Sequence, residues 1–216
     1  MQKLLSDPES EKLSSILMSL GDCVPLDFRF DMNQLHGELA QFESDWRPYN
    51  PRKPDIARMG LSLTSLDGGL SGIPDLDSVA GYNREHNTNF NELSFRKTTK
   101  VHQECRSLHG LFEAFQENLG RSHFIKLGSG GFFPPHRDLD LACFRVFVPC
   151  FRANKFNFSF LLDDKLLHLR EGIAYYINTR KAHSIFSFVP NSIHLVLNIG
   201  VSEQSVRSVV RHLVEY

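Results

Sequence analysis

The chain has 216 residues, of which 41% are hydrophobic, and a formal net charge of −1, so it can form one domain with a sizeable core. It carries no long basic or acidic run, which argues against a nucleic-acid polymer or an anionic membrane surface as partner. No segment approaches the roughly 18 consecutive apolar residues of a membrane span, and acidic residues interrupt the N-terminus where a signal peptide is apolar; we therefore expect a cytoplasmic protein.

Residues 1–120 have a mixed pattern. Spacing predicts a helix over 4–20, a short strand at Phe28 and Phe30, and a strand over 59–66. Asp31 is suited to cap a helix whose apolar side chains are Leu35, Leu39 and Phe42. A further helix is predicted over 108–119 from its apolar face.

From residue 121 the pattern changes to short strands separated by turns. The predicted strands cover 123–127, 142–148, 157–162, 166–169, 173–178, 183–188 and 193–199. Short strands at this spacing are typical of an all-β barrel or jelly roll. We predict one domain over 1–216: a helical and strand-containing region over 1–120 packs on a barrel core over 121–200, and a C-terminal helix lies within 201–216.

The sharpest local feature is His136-Arg137-Asp138. In an extended strand the first and third side chains lie on the same side, so an imidazole and a carboxylate can reach one metal ion. An isolated motif of this kind is more often a surface pair beside a turn. Here a Gly-rich turn precedes the motif, which is therefore expected to open a strand, and a further histidine, His183, recurs in a late strand. Two histidines and one carboxylate suit non-haem Fe(II).

Other histidines compete for the role of third ligand. His194 also lies in a predicted strand and is the main rival of His183. His168 stands at a strand end among charged residues and is expected to be exposed. A dicarboxylate co-substrate would need a cation, and Arg145, the charged residue of an apolar strand, is the leading candidate unless it points to solvent.

The stretches FIKLGSGGFFPPHRD, FRVFVPC, LLDDKLLHLREGIAYYINTRKAHSIF and SIHLVLNIG resemble the aspartyl/asparaginyl β-hydroxylase family, which also includes free-proline hydroxylases and a lipid A hydroxylase. The resemblance covers about residues 120–200. It implies a double-stranded β-helix, which is a cupin-like jelly roll. It also implies an enzyme that uses Fe(II), 2-oxoglutarate and O₂ to hydroxylate an unactivated C–H bond.

By position, the resemblance makes His136 the first metal ligand and His183 the distal one. Asp138 matches the acidic ligand that some members keep, which argues against halogenation, and Arg145 matches a basic position of the family. Many members carry an arginine near the start of the final strand that binds 2-oxoglutarate, and Ser192 stands there in this chain. We therefore expect the C5 carboxylate to be held by Arg145, by His194, or by both with Ser192.

Several residues are candidates for gripping the substrate at the barrel mouth, although for each a surface or packing role is at least as plausible. They are Arg137, Asp140, Asn178, Trp46, Arg47, Tyr49, Arg58 and the loop over 67–72. Asn178 and Ser184 are also candidates to fix the histidine tautomers. Mixed cations and aromatics would suit an amino-acid or peptide carboxylate.

The leading hypothesis is an Fe(II)/2-oxoglutarate-dependent dioxygenase that hydroxylates an amino acid, free or within a peptide or protein, and releases succinate and CO₂. An oxygenase acting on a lipid or another small metabolite is the runner-up within this class. A cupin-like metalloenzyme without 2-oxoglutarate is the second class, favoured by Ser192. A non-catalytic barrel module is the third. The sequence carries no signal for the oligomeric state.

Overall fold

The computed structural model describes residues 8–138 and 142–214. Its helices are α1 (Pro8–Leu20), α2 (Met32–Ala40), α3 (Val79–His86), α4 (Lys100–Glu104), α5 (His109–Phe115) and α6 (Glu203–Arg211). Its first strands are β1 (Cys23–Leu26), β2 (Arg47–Pro48), β3 (Arg58–Ser62), β4 (Thr64–Ser65) and β5 (Lys97–Thr98). The later strands are β6 (His123–Leu127), β7 (Phe132–His136), β8 (Cys143–Phe151), β9 (Phe158–Leu162), β10 (Lys165–Leu167), β11 (Ala174–Ile177), β12 (His183–Ser187) and β13 (Ser192–Gly200).

Two antiparallel sheets form the predicted double-stranded β-helix. The larger sheet has seven strands in the order β1-β11-β8-β13-β6-β3-β2, and the smaller has four in the order β10-β9-β12-β7. Strands β6 to β13 therefore give four strands to each sheet, while β4 and β5 pair separately. The N-terminal region does more than pack on the barrel, because it adds β1, β2 and β3 to the larger sheet.

The larger sheet separates two apolar layers because strand side chains alternate between its faces. On β8, Phe144, Val146 and Val148 join the core beneath the helices, while Phe147 joins the core between the two sheets. Arg145 has the same parity as Phe147, so it points into the barrel. This alternation places a charged side chain among aromatic and aliphatic groups of the barrel interior.

Helix α2 is stabilised by a capping residue at its start and by an apolar face that packs on the core. The Asp31 carboxylate accepts hydrogen bonds from the backbone amides of Asn33 and Gln34, both at 3.0 Å, as predicted for a helix cap. Leu35 and Leu39, one turn apart, are fully buried against the outer face of the larger sheet. The helices thereby shield that face, and the opposite face is left for the site.

Two strand predictions are corrected. The strand expected at Phe28 and Phe30 lies earlier, at β1, and Phe28 instead stacks on His212 with ring centres 4.2 Å apart. The motif at His136 does not open a strand, because β7 begins at Phe132 and ends at His136. Both missed strands contain proline and lie at sheet edges, where a missing backbone N–H does not break a ladder.

None of the helices in residues 8–138 and 142–214 combines the length and the apolar character needed to cross a lipid bilayer.

Candidate metal centre

Two histidines of the smaller sheet lie side by side. His136 ends β7 and His183 begins β12, and the two are register partners on these adjacent antiparallel strands. Their ring centres are 4.2 Å apart. Strand pairing thus brings together two residues that are far apart in sequence. By contrast, His168 is exposed on the surface, as expected from the sequence.

Backbone carbonyls fix the tautomer of both rings. His136 Nδ1 lies 2.8 Å from the Pro134 carbonyl oxygen, and His183 Nδ1 lies 3.0 Å from the Lys181 carbonyl oxygen. Because a carbonyl only accepts, each Nδ1 carries the proton and each Nε2 presents a lone pair. The predicted tautomer anchors, Asn178 and Ser184, therefore do not make these contacts.

Asp138 completes the group from beyond the end of β7. Its backbone amide donates to the Thr179 carbonyl at 2.9 Å, which turns the chain toward the larger sheet. Its Oδ1 lies 3.7 Å from His136 Nε2 and its Oδ2 lies 3.8 Å from His183 Nε2. The donor atoms of the three side chains all lie within 4.8 Å of one another.

The protonation states suit a cation. Burial lowers the pKa of His183 to about 4, so this ring is neutral near pH 7. Burial alone would raise the pKa of Asp138, but neighbouring positive charge, above all that of Arg145, holds the pKa below its usual value. Two imidazole lone pairs and a carboxylate thus converge on one small region, an arrangement that a metal cation stabilises. The donor set therefore fits the predicted Fe(II), which accepts nitrogen and oxygen ligands.

The group opens into a cavity of about 600 Å³. Its walls near the donors are apolar and come from both sheets; they are formed by Ile125, Phe133, Phe147, Phe160, Ile177, Ile185 and Val196. Its far end lies against the start of α3 and the segment that follows this helix. An apolar inner end and a more polar outer end suit a small polar molecule that reaches inward to the donors.

Arg145 lines this cavity, but its charge is already in contact with the donor group. Its Nε lies 2.7 Å from Asp138 Oδ2 in an ion pair that lacks hydrogen-bond geometry. Arg145 thus orients the carboxylate beside the histidines. The predicted role of Arg145 at the distant carboxylate of a dicarboxylate stays a prediction, and in this structure its Nε faces Asp138 instead.

Ser192 and His194, the other residues predicted to hold this carboxylate, are not among the residues that line the cavity. The Ser192 hydroxyl and His194 Nε2 are 2.9 Å apart, and both residues are almost completely buried. The His194 ring packs on Phe147 and Phe158, with ring centres 5.3 and 4.7 Å away. Burial lowers the pKa of His194 to about 3, so it is neutral and offers no charge to a carboxylate.

The candidate substrate residues fall into three groups. Arg137, Tyr49 and Arg58 line the cavity. Trp46 does not: it is buried in the core beneath the helices, where Lys126 Nζ lies 4.3 Å from its ring centre. Asn178, Arg47 and the loop over 67–72 do not line the cavity; Asn178 donates to Asp22, and Arg47 donates to the Ser44 carbonyl. Asp140 lies outside the described residues.

Three features of the cavity have no local signal in the sequence. Thr179 holds Asp138 through its carbonyl and its side chain. Arg121 is buried and pairs with Glu92 through Nε and Nη2, at 2.8 and 2.9 Å. The start of α3, with its cap Ser78, closes the outer end. These residues come from loops and helix ends, which carry no strand or ligand spacing.

Neither a protein-family model nor a curated protein sequence matches the chain. Among solved structures, it is similar to an oxidoreductase of the 2OG-Fe(II) oxygenase family from Burkholderia pseudomallei, with 11% identity, 96% of each chain covered and a TM-score of 0.53. A Pseudomonas putida prolyl-4-hydroxylase matches at 11% identity over 88% of this chain and 99% of the other, with a TM-score of 0.47. KdgF from a Halomonas species matches at 16% identity over 40% of this chain and 72% of the other, with a TM-score of 0.32.

The Burkholderia structure shows that the fold extends over nearly the whole chain, N-terminal region included. The chain therefore has the double-stranded β-helix fold found in a 2OG-Fe(II) oxygenase. The narrower resemblance to aspartyl/asparaginyl β-hydroxylases stays a prediction, as do the metal, the co-substrate and the roles of the site residues.

Proposed function

We propose that this protein is an Fe(II)/2-oxoglutarate-dependent dioxygenase that hydroxylates an unactivated C–H bond of an amino acid, free or within a peptide or protein. The observation that carries the proposal is the convergence of His136 Nε2, His183 Nε2 and an Asp138 oxygen at the inner end of a cavity. Three protein ligands on one side of a metal ion leave coordination positions for a chelating co-substrate and O₂.

When bound, Fe(II) with 2-oxoglutarate supplies the oxidising chemistry, in which reduction of O₂ is coupled to decarboxylation of the 2-oxo acid to succinate and CO₂. The chain supplies position and protection. The Pro134 and Lys181 carbonyls hold both imidazoles with Nε2 inward, and Arg145 with Thr179 holds the Asp138 carboxylate. Such outer contacts keep ligands oriented before the metal arrives.

The apolar inner wall has a chemical role in this proposal. Phe160 packs against His183 with ring centres 6.2 Å apart, and Phe147 packs on Phe160 at 5.2 Å. These rings give the cavity an apolar wall beside the donor group. Apolar walls favour exclusion of water once a substrate fills the cavity, which protects the reacting group from side reactions.

A cupin-like metalloenzyme without 2-oxoglutarate is the second candidate. The observation in its favour is the Ser192–His194 pair, which is buried and neutral where a cation was expected. In that case the metal would act on a substrate that chelates it directly.

Anaerobic titration of the protein with Fe(II) and 2-oxoglutarate separates these functions. Chelation of Fe(II) by a 2-oxo acid gives a weak visible charge-transfer band, which we expect in the wild type and not in His183→Ala. A wild type that binds Fe(II) without forming the band would favour the second candidate. A wild type that binds no divalent metal would exclude both.

Substrate-stimulated release of succinate tests the substrate class. Free amino acids and short peptides are expected to raise the rate of succinate formation above the uncoupled background. If only lipids or other small metabolites stimulate succinate release, the proposed oxygenase activity stands and the proposed substrate class is wrong.

A further inference from the structure

Arg58 is a buried charge without a counter-ion in the described part of the chain. It is 6% exposed and lines the cavity. Its Nη1 donates to the Phe132 carbonyl at 3.3 Å, its Nε has no hydrogen-bond partner, and no carboxylate of residues 8–138 and 142–214 lies within ion-pair distance. A guanidinium stays protonated even when buried, and an uncompensated buried charge is costly. The side chain is therefore arranged for an anion that enters the cavity.

Arg121 and Arg145, which also line the cavity, differ from Arg58 in this respect. Arg121 forms a two-point ion pair with Glu92, and Arg145 contacts Asp138. Each of these charges is already balanced by a carboxylate of the chain, so neither requires an external anion.

Aromatic rings hold the Arg58 guanidinium in place. Its central carbon lies 4.7 Å from the Phe133 ring centre and 5.6 Å from the Tyr49 ring centre. Phe133 in turn lies 6.5 Å from the ring centre of His136. The cation–π contacts offset part of the cost of burial and fix the cation on the same cavity wall as a metal-donor histidine.

Strand register explains how Arg58 reaches the interior. Arg58 on β3 is directly opposite Leu127 on β6, and Leu127 is directly opposite Ser192 on β13. Directly opposite residues of an antiparallel sheet project from the same face. The cation on β3 thus lies in the same cross-strand row as Ser192, the position at which many members of the resembled family carry an arginine.

We propose that Arg58 binds the carboxylate at the far end of the 2-oxo acid co-substrate, so that a strand of the N-terminal region supplies the cation absent from β13. This inference rests on the proposed function. The 1-carboxylate and 2-oxo group face the metal donors, and the distal carboxylate pairs with the Arg58 guanidinium. A planar guanidinium suits a carboxylate because two N–H groups align with its two oxygens.

Calorimetric titration of the Mn(II)-loaded protein tests the assignment without turnover. The ligands are 2-oxoglutarate and 2-oxopentanoate, an acid of the same chain length without the distal carboxylate. The wild type is expected to prefer 2-oxoglutarate by about 10- to 100-fold, the range for hydrogen bonds to charged groups. Arg58→Met is expected to bind the two acids with similar affinity. Arg47→Met, on neighbouring β2 and outside the cavity, is expected to keep the wild-type preference.

The outcomes separate the two proposals. A wild type that binds neither acid overturns the proposed function. A wild type that prefers 2-oxoglutarate, with the same preference in Arg58→Met, overturns the role of Arg58 alone. If Arg58→Met fails to fold, Arg58→Gln replaces it, since the amide keeps a donor for the Phe132 carbonyl and lacks the charge; an unchanged preference in that variant also overturns the assignment.

Discussion

His183 shows how much the surroundings of one side chain decide. Its Nδ1 is held by a carbonyl, its Nε2 faces Asp138, and burial keeps it neutral near pH 7. His168, only a short distance away in sequence, is exposed and has no comparable surroundings. The same residue type is thus prepared to bind a metal at one position and solvated at the other.

We predict that His183→Ala weakens Fe(II) binding by more than about 100-fold, because loss of a ligand should exceed the 10- to 100-fold effect of an outer contact. Equilibrium dialysis of Fe(II) under argon measures this change, and succinate formation should disappear with it. His168→Ala is the control and should match the wild type in both measurements. The opposite pattern would identify the wrong histidine as ligand.

His194 gives a prediction about stability against pH. Its pKa is lowered from an ordinary value of 6.5 to about 3. At a pH between these two values, His194 is therefore protonated in the unfolded chain and neutral in the folded chain. The free energy of unfolding should therefore fall as the pH drops from 6.5 toward 3, by about 1.4 kcal/mol per unit for this residue. His194→Gln keeps a hydrogen-bonding partner for Ser192 and cannot titrate, so it should lose about 2–3 kcal/mol less than the wild type between pH 7 and pH 4.5.

Urea unfolding of the metal-free protein at the two pH values measures that difference. His168→Gln, which removes an exposed histidine, should lose as much stability as the wild type. An equal loss in His194→Gln and the wild type would mean that His194 does not resist protonation in the folded state.

At the scale of the elements, the turn before β7 determines where His136 lies. A Cβ on Gly131 would overlap the Ala57 carbonyl oxygen, and the Gly131 carbonyl accepts a 2.9 Å hydrogen bond from the Ser187 amide at the end of β12. The turn is thus closely packed against backbone atoms that cannot move independently. β7 begins at the next residue.

We predict that Gly131→Ala lowers the free energy of unfolding by about 1–3 kcal/mol, as expected for overpacking, and also weakens Fe(II) binding because β7 shifts. The control is Gly110→Ala in α5, where an added Cβ meets no atom within 4 Å. The free energy of unfolding of that variant should be unchanged or up to about 1 kcal/mol higher, since alanine has a higher helix propensity than glycine. Thermal unfolding and metal titration of both variants test the contrast; equal effects would remove the special role of the turn.

The elements that sequence predicted well are those whose structure depends on local pattern. The strand over His123–Leu127 was predicted at its observed bounds, and Asp31 caps α2 as expected. The sequence does not predict β1 and β7 because Pro25, Pro134 and Pro135 lower strand propensity. These prolines are tolerated because both strands lie at a sheet edge.

The site was predictable to a similar extent. The spacing of His136 and Asp138 is local, and the structure brings both beside His183, although their role as ligands stays a prediction. The position of Arg58 depends on the pairing of β3 with β6 and of β6 with β13. Such long-range register has no counterpart in local periodicity, so the sequence points to Arg145 as the clamp, whereas the structure places Arg145 beside Asp138.

For the whole molecule, the N-terminal region and the barrel share one sheet and one core. β1 pairs with β11 and β3 pairs with β6, and the core beneath the helices combines residues from both halves. A boundary near residue 120 would expose the edges of β6 and β11. We therefore expect the chain to fold as a unit, which is the single domain predicted from its sequence.

Unfolding followed by two probes tests this expectation. Trp46, the one tryptophan of the sequence, is buried in the N-terminal region, whereas far-ultraviolet circular dichroism reports on the entire chain. The two denaturation curves should coincide, as in a two-state transition. A fluorescence change that precedes the loss of circular dichroism would indicate separate domains.

The donor group also joins the two halves of the sandwich. His136 and His183 belong to the smaller sheet, while Asp138 is tied to Thr179 and Arg145 at the larger one. A metal ion bound by all three would brace the sheets against separation, and at a free concentration of 100 times its dissociation constant it would add about 2.7 kcal/mol to stability. Under the proposed function, iron supply would then govern the lifetime of the protein in the cell as well as its activity, because copies that lack the ion would open more often and be degraded first.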